Sequence, residues 1–432
     1  MPHSLRRGAL RLTAGIALIC TFALAGCGRG GDTAATGTAE PVDDSPATGS
    51  VDVWAAQGDA DVLEKVIEPF KADNPDVKVN FTLIPNGEYY TKLQSAVAAG
   101  KGPDVAQFFP ESQAQFLDPS ILQPVPDGLV DKGTFFKSLW DAGVVKNVAY
   151  TVPWYAYTYA LVYRSDLADK AGVKAPMTWK DTVPFLKAMQ DAGAGRGLAA
   201  DIGWDIFNGQ DVAMYAWQAG GSLFSSDGKW TLDTPEMAEA IKYNASFFTS
   251  GAADTSTPTF LDAQPYFTSG KTASMITGPW VIGQLDKAAG KDGWTASHVA
   301  TAPLPAGDSS GASFSAGGSW GVLADSDNAD ASWKFVRHLA EPSTQVAQYK
   351  AYSSLPAVIS AWDDPAIADQ PLLDAFFTQM KNTRAFPQVT TWQQVATRLG
   401  KEIEAVAKGT ESAEKAAANV QAYAESVGTG AE

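Results

Sequence analysis

The sequence predicts an α/β protein with a mainly parallel, doubly wound sheet, long enough to divide into two lobes. Three observations carry this expectation. Strand-like and helix-like segments alternate from Val51 onward in the order β-α-β-α-β. The 382 residues from Val51 to Glu432 exceed one comfortable core. Glycines gather at Gly317-Gly318 and Gly321, densely enough for a sharp crossing of the chain between lobes.

Val51-Asp52-Val53-Trp54 opens as a strand, and Val62, Val66 and Phe70 share one face of a helix over Asp61 to Lys71. Asn74-Pro75 stops that helix, after which Val77, Val79 and Phe81 alternate with Lys78 and Asn80 as a second strand. A helix carrying Tyr90, Leu93 and Val97 ends at Gly100, and Pro103 to Phe108 leads into a third strand. Open parallel sheets bind ligands beyond the carboxyl ends of their strands. Those ends carry Trp54, Gln57, Phe108, Phe109 and Glu111.

Tyr150 to Tyr163 holds six aromatics, Tyr150, Trp154, Tyr155, Tyr157, Tyr159 and Tyr163. Alternate members of an extended segment point to opposite faces, so core and cleft uses both stay open for them. Thr178 to Asp181 forms a capping box for a helix through Met189, and the turn-rich stretch with Trp204, Asp205 and Asn208 precedes another helix. Later come a helix and strand before Gly278-Pro279-Trp280, a proline-set connection at Ala302 to Pro305, a helix over Ala331 to Leu339 and a helix over Ala405 to Val427. There is no internal repeat.

The N-terminus has Arg6, Arg7 and Arg11 before a 13-residue apolar run, Leu12 to Leu24, which matches a secretory signal and is too short to cross a bilayer. Leu24-Ala25-Gly26-Cys27 resembles the lipobox of bacterial lipoproteins, which implies cleavage after residue 26 and acylation of Cys27. Residues 27–50 are rich in Gly, Thr, Ala, Pro and Asp without apolar periodicity and read as a flexible tether. Cys20 leaves with the signal, so one thiol remains and no internal disulfide forms. Loss of three Arg with residues 1–26 moves the formal charge from -16 to -19, against a nucleic-acid role. Only His298 and His338 then remain, too few for a zinc site, and neither a metal nor a cofactor is expected.

Several segments in order resemble the family 1 extracellular solute-binding proteins of ABC importers, the maltose-binding type. They are Asn74 to Val79, Tyr90-Thr91-Lys92-Leu93 through Ala98-Ala99-Gly100, Gly102-Pro103-Asp104-Val105, Phe267 to Lys271, Gly278-Pro279-Trp280, Pro303 to Gly307 and Gly317-Gly318. The resemblance implies a periplasmic-binding-protein-like fold of type II, two doubly wound α/β lobes joined by hinge strands and closing on a ligand. Lobe 1 is expected at residues 51–156 and 318–365 and lobe 2 at 157–317 and 366–432, with crossings near Pro153 to Tyr159, Phe314 to Trp320 and Trp362 to Gln370.

Carried over by motif, Phe108 and Glu111 follow Gly-Pro-Asp where such proteins line the sugar cleft, and Trp280 stands where Gly-Pro-Trp supplies a stacking platform. Tyr157 falls where the maltose type has a ligand-contacting carboxylate. Trp204, Asp205 and Asn208 lie in a loop facing the cleft, and Trp392 in a region that often adds an aromatic. The remaining candidates are Trp54, Gln57, Trp154, Tyr155, Gly318, Trp320 and the rim donor Arg384. The chemistry is that of a pyranose, whose apolar C–H faces suit rings and whose hydroxyl rim suits Asp, Glu, Asn and Arg.

The expected molecule is a monomer anchored by its lipid on the outer face of the cell membrane, passing a sugar to ABC permease subunits. Two rivals remain. One is the same fold holding a polyamine or another small solute. The other is a secreted glycoside hydrolase, which needs a carboxyl pair about 5 to 9.5 Å apart. The Ser-rich glycine stretch Gly311 to Gly318 lacks Gly-x-Ser-x-Gly, and a Ser-His-Asp arrangement has only His298 and His338 to draw on.

Overall fold

The computed structural model describes residues 41–56, 63–85, 88–110, 112–200, 206–255 and 262–430, with backbone alone at 206–208. The leader with Cys27, residues 27–40 of the expected tether, and Gln57, Glu111, Trp204 and Asp205 therefore lie outside the described residues, as does the side chain of Asn208. The described end of that segment is not a tether: Asp43 pairs with Lys334, Ala47 is buried in the first core and Gly49 begins the first strand.

Strand β1 (Gly49–Ala56) buries Val51, Val53 and Ala55 on one face, the period-2 alternation its sequence carries. It pairs in parallel with β2 (Val77–Ile84) and with β3 (Val105–Phe108). The helix expected over Asp61 to Lys71 is two short ones, Leu63–Val66 and Glu68–Asp73, because Pro69 has no N–H to return to the preceding turn. A small hairpin, β4 (Val144–Val145) and β5 (Val148–Ala149), precedes β6 (Val152–Tyr157).

A second sheet starts two residues beyond β6. Its strands are β7 (Ala160–Arg164), β8 (Ser274–Thr277) and β9 (Val299–Ala302), in the order β8-β7-β9 with both pairings antiparallel. The chain returns through β10 (Ser313–Phe314) into β11 (Ala316–Val322), and β12 (Leu355–Pro356) completes a six-stranded sheet of order β12-β6-β11-β3-β1-β2. Within this sheet, β1, β2 and β3 run parallel. The joins β11 to β3, β11 to β6 and β12 to β6 are antiparallel, because β6 and β11 carry the chain between the sheets in opposite senses.

These two crossings lie side by side. Ala316 is in register with Tyr157, and the buried Thr158 hydroxyl donates to Phe314 O at 2.7 Å. Gly317, at φ +153°, passes so close to β6 that a Cβ there would sit 2.0 Å from Tyr155 O, and the register slips between Gly318 and Ser319.

Helices cover both sheets. Trp179–Asp191 has the expected capping box, with the Asp181 carboxylate accepting the Thr178 N–H at 3.2 Å and its hydroxyl at 2.6 Å. The C-terminal helix expected from Ala405 is instead a pair, Trp392–Ala407 and Ala413–Val427, broken at Gly409 (φ +70°) and restarted by the Ser412 hydroxyl, which accepts the Lys415 N–H. Strand β13 (Thr383–Arg384) pairs with β10. One core runs from β1 and β3 through Trp154 and Trp320 to Met275 and Val299, a second holds Phe314, Phe386, Trp392 and the C-terminal helices, and a third lies under Tyr89, Phe108 and Phe116. Among the described residues no helix is long and apolar enough to cross a membrane, and no group of His, Cys, Asp or Glu is arranged to hold a metal ion.

Candidate functional site

The carboxyl end of β3 is held by two adjacent tyrosines of the helix Tyr89–Ala98. The Tyr89 hydroxyl accepts the Gln107 N–H at 2.9 Å and lies 2.8 Å from Gln107 O, and burial pushes that phenol above its ordinary range, so it stays neutral. The Tyr90 hydroxyl accepts the Phe109 N–H at 2.7 Å. Gln107 Oε1 accepts the Ala56 N–H at 2.9 Å, which ties the end of β1 to the same point. The chain from Phe109 into Pro110 thus leaves the sheet in a set direction. Phe109 is half-buried, edge-on to Tyr89 and to Tyr90.

On the other sheet, Trp280 follows β8 and meets Tyr157, the last residue of β6, edge-on at 5.3 Å and 85°. Tyr159 approaches Trp280 at 6.2 Å and Phe314 at 4.6 Å. Tyr157 and Trp280 are half-buried and pack against both large cores, and because Tyr157 ends β6 of the six-stranded sheet while Trp280 follows β8 of the second, their contact lies on the seam between the sheets.

Neutral polar groups bridge the seam elsewhere. The Gln388 carboxamide donates to Pro110 O at 3.0 Å and accepts from Gln113 Nε2 at 3.4 Å. Gln393, in the first turn of helix Trp392–Ala407, donates to Ser112 Oγ at 2.5 Å. Gln113 is buried, and its Oε1 accepts the Ser319 hydroxyl at 3.3 Å, which joins this bridge to crossing strand β11. Amides and hydroxyls of this kind both donate and accept, and they suit hydroxyl partners.

Four rings expected at the cleft are in the cores instead. Phe108, Trp154, Trp320 and Trp392 have exposures of 0%, 0%, 1% and 1%. Phe108 ends β3 and turns in to Phe116 at 5.5 Å, whereas Phe109, just past the strand, is half-buried. Trp154 lies on a strand flanked on both sides, 4.9 Å from Trp320, which also reaches Phe335. Trp392 stacks on Phe386 at 5.2 Å, while Gln393, one helical step on, looks across the seam.

Tyr155 is buried with its ring over Gly318, where a Cβ would fall 2.4 Å from Tyr155 Cε1; Gly318 is thus a seat for that ring. Trp54 is half-buried against the third core. Arg384 is exposed and lines an open recess of about 590 Å³ with Lys137, Asp141, Met380 and Lys381. That recess also lies on the seam, where the Ser138 and Thr383 hydroxyls meet at 2.7 Å, but it shares no residue with the Tyr157 and Trp280 group. Of the expected residues, Tyr157 and Trp280 are brought together. Tyr90, Gln113, Gln388 and Gln393 were missed; the signal for Gln393 was its place one step after an inward-facing Trp.

A profile of bacterial extracellular solute-binding proteins matches residues 55–346. The chain belongs to that family. Among its relatives is a maltotriose-binding protein of Pyrococcus abyssi, 26% identical over 357 residues, covering 79% of this chain and 74% of the relative. The sugar-binding protein MalE of Xanthomonas citri superposes with a TM-score of 0.80 at 26% identity, covering 88% of this chain and 97% of that one. The GacH receptor of Streptomyces glaucescens, solved unliganded and with acarbose, gives 0.75 at 26% identity, covering 88% and 98%. The solute-binding protein accordingly has the two-lobed type II periplasmic-binding fold and acts outside the cytoplasm as a binder and not as an enzyme.

Proposed function

We infer that this solute-binding protein is the capture component of an ABC importer and that a sugar or oligosaccharide is its cargo, gripped on the seam as the lobes close. The observation that carries the reading is the Tyr157 and Trp280 pair, half-buried at the junction of both cores. Rings and neutral amides match the C–H faces and hydroxyl rim of a pyranose. The maltotriose, acarbose and MalE relatives support the same ligand class.

The lobes of this reading are residues 51–156 with 318–365, and 157–317 with 366–432. Support comes from the sheet change at Thr158 and Tyr159 and from the return into β11 at Ala316. Cys27 carries the lipid that tethers the monomer to the outer face of the membrane, beside the permease.

A polyamine fits less well, because a cation needs several carboxylates around it and the bridging groups at the seam are Gln113, Gln388, Gln393 and Ser112. Thermal shift against maltose, maltotriose, galactooligosaccharides and spermidine tests the choice. A ligand at a hundred times its Kd stabilises by about 2.7 kcal/mol. A spermidine shift with none from any sugar would overturn the sugar reading.

A further inference from the structure

Gly278 precedes Pro279 with φ -84° and ψ 170°. This is the extended conformation that any residue before a proline adopts, so no backbone reason calls for glycine there. The reason is spatial. A Cβ on Gly278 would lie 1.8 Å from Trp280 Cζ3, 2.2 Å from Cη2 and 2.4 Å from Cε3, on the six-membered ring itself. The indole therefore folds back over its own chain and rests on the bare Cα two residues earlier.

Tyr157 at 5.3 Å and 85° and Tyr159 at 6.2 Å and 68° flank the same ring. A methyl group at residue 278 has no empty volume to enter, and carbon atoms cannot share space at 2 Å, so the ring must swing away from its seat. Gly283, in the same short helix Pro279–Gln284, is the contrast. A Cβ there meets nothing closer than Ser353 Oγ at 3.7 Å, an ordinary contact.

We propose that Gly278 is a positioning residue for ligand recognition, setting the angle of the Trp280 platform by offering it a surface without a side chain. The proposal rests on Trp280 being a sugar contact, as argued above. It goes further in placing the specificity of this platform in a residue that touches no ligand. Stacking depends on ring angle and offset, so a tilted indole loses a pyranose face while remaining in the protein.

Four variants measured by titration calorimetry with maltotriose decide it. Gly278→Ala is expected to weaken binding about tenfold and Gly283→Ala to leave it unchanged. Trp280→Ala weakens binding at least as much as Gly278→Ala, and Gly278→Ala added to Trp280→Ala costs nothing more, because the ring through which the glycine acts is gone. Near-UV circular dichroism of the ligand-free Gly278→Ala protein should change, as its indole leaves the Tyr157 and Tyr159 rings.

Wild-type affinity in Gly278→Ala, or losses that add in the double variant, would overturn the proposal. If the wild type binds no sugar, the sugar reading fails by itself. The dichroism and the thermal midpoints of the four proteins still decide the ring seat: Gly278→Ala should lower the midpoint in the wild-type background and not in Trp280→Ala. An unchanged spectrum with an unchanged midpoint would sink it.

Discussion

Trp154 and Trp320 meet at 4.9 Å within the six-stranded sheet, and Tyr157 and Trp280 meet at 5.3 Å where the two large cores adjoin. The residue types are nearly the same and Trp154 is only three positions from Tyr157, yet the first pair is sealed and the second keeps exposed surface. Trp154 sits between β11 and β12 under helices; Tyr157 is the last residue before the chain leaves that sheet. The Nε1 atoms of Trp154 and Trp320 have no acceptor among the described residues, so those rings contribute by packing. Aromatic density in a strand thus carries two meanings, and the position of the strand's end separates them.

The largest expected effect breaks the sealed pair. Trp154→Ala should destabilise by about 3 to 5 kcal/mol, the cost of a large core cavity, while protein that remains folded keeps its maltotriose affinity. Denaturant unfolding and calorimetry on one preparation check this, and lost affinity with intact stability would reverse the assignment of the two pairs.

Trp280→Ala is the opposite case. Its stability should change by less than about 1 kcal/mol, whereas the maltotriose Kd should rise at least about tenfold, or about 1.4 kcal/mol. Equal losses in stability and binding would make Trp280 another core ring.

Gln388→Ala sharpens the comparison at the bridge. It removes the donor to Pro110 O and to Phe386 O and the acceptor for Gln113, of which the Pro110 bond, at about 1 kcal/mol, is the short link across the seam. The maltotriose off-rate in stopped flow should rise about fivefold with the ligand-free melting temperature unchanged. An unaltered off-rate would show that the rings alone hold the lobes together.

The smallest effect lies far from both pairs. Lys334, with a side chain 4% exposed, bonds Asp43, and together with Ser45 holds that carboxyl down at about 2 from its ordinary 3.8. A depressed carboxylate contributes stability that is present above its ordinary value and fades as pH falls through about 2. Asp43→Asn should therefore melt slightly below wild type at pH 6, and the gap should narrow from about pH 4 down through about pH 2. A gap that widened in acid would contradict the pairing, and maltotriose affinity should be the same in both proteins.

Much of the architecture was legible from local pattern. Val51-Asp52-Val53-Trp54 marked β1, Thr178 to Asp181 marked a helix start, and Gly317-Gly318 marked the return crossing. The antiparallel joins of β11 were not legible, since a strand's direction relative to its neighbours depends on where the chain has travelled in between. Within the candidate site, Trp280 was legible through Gly278-Pro279. Phe108 and Trp392, expected at the cleft, are sealed in the cores, while Gln393, one step of about 100° around the helix from Trp392, is exposed.

Alone, the sequence determined the alternating elements, the family resemblance and a chemistry of rings with polar neighbours, because periodicity and turn residues act over a few positions. Tertiary structure decided which rings are sealed and which stand on the seam, and it joined Pro110 to Gln388 across 278 positions. The physical reason is that a side chain's burial depends on what distant segments bring against it, and no local pattern records that partner.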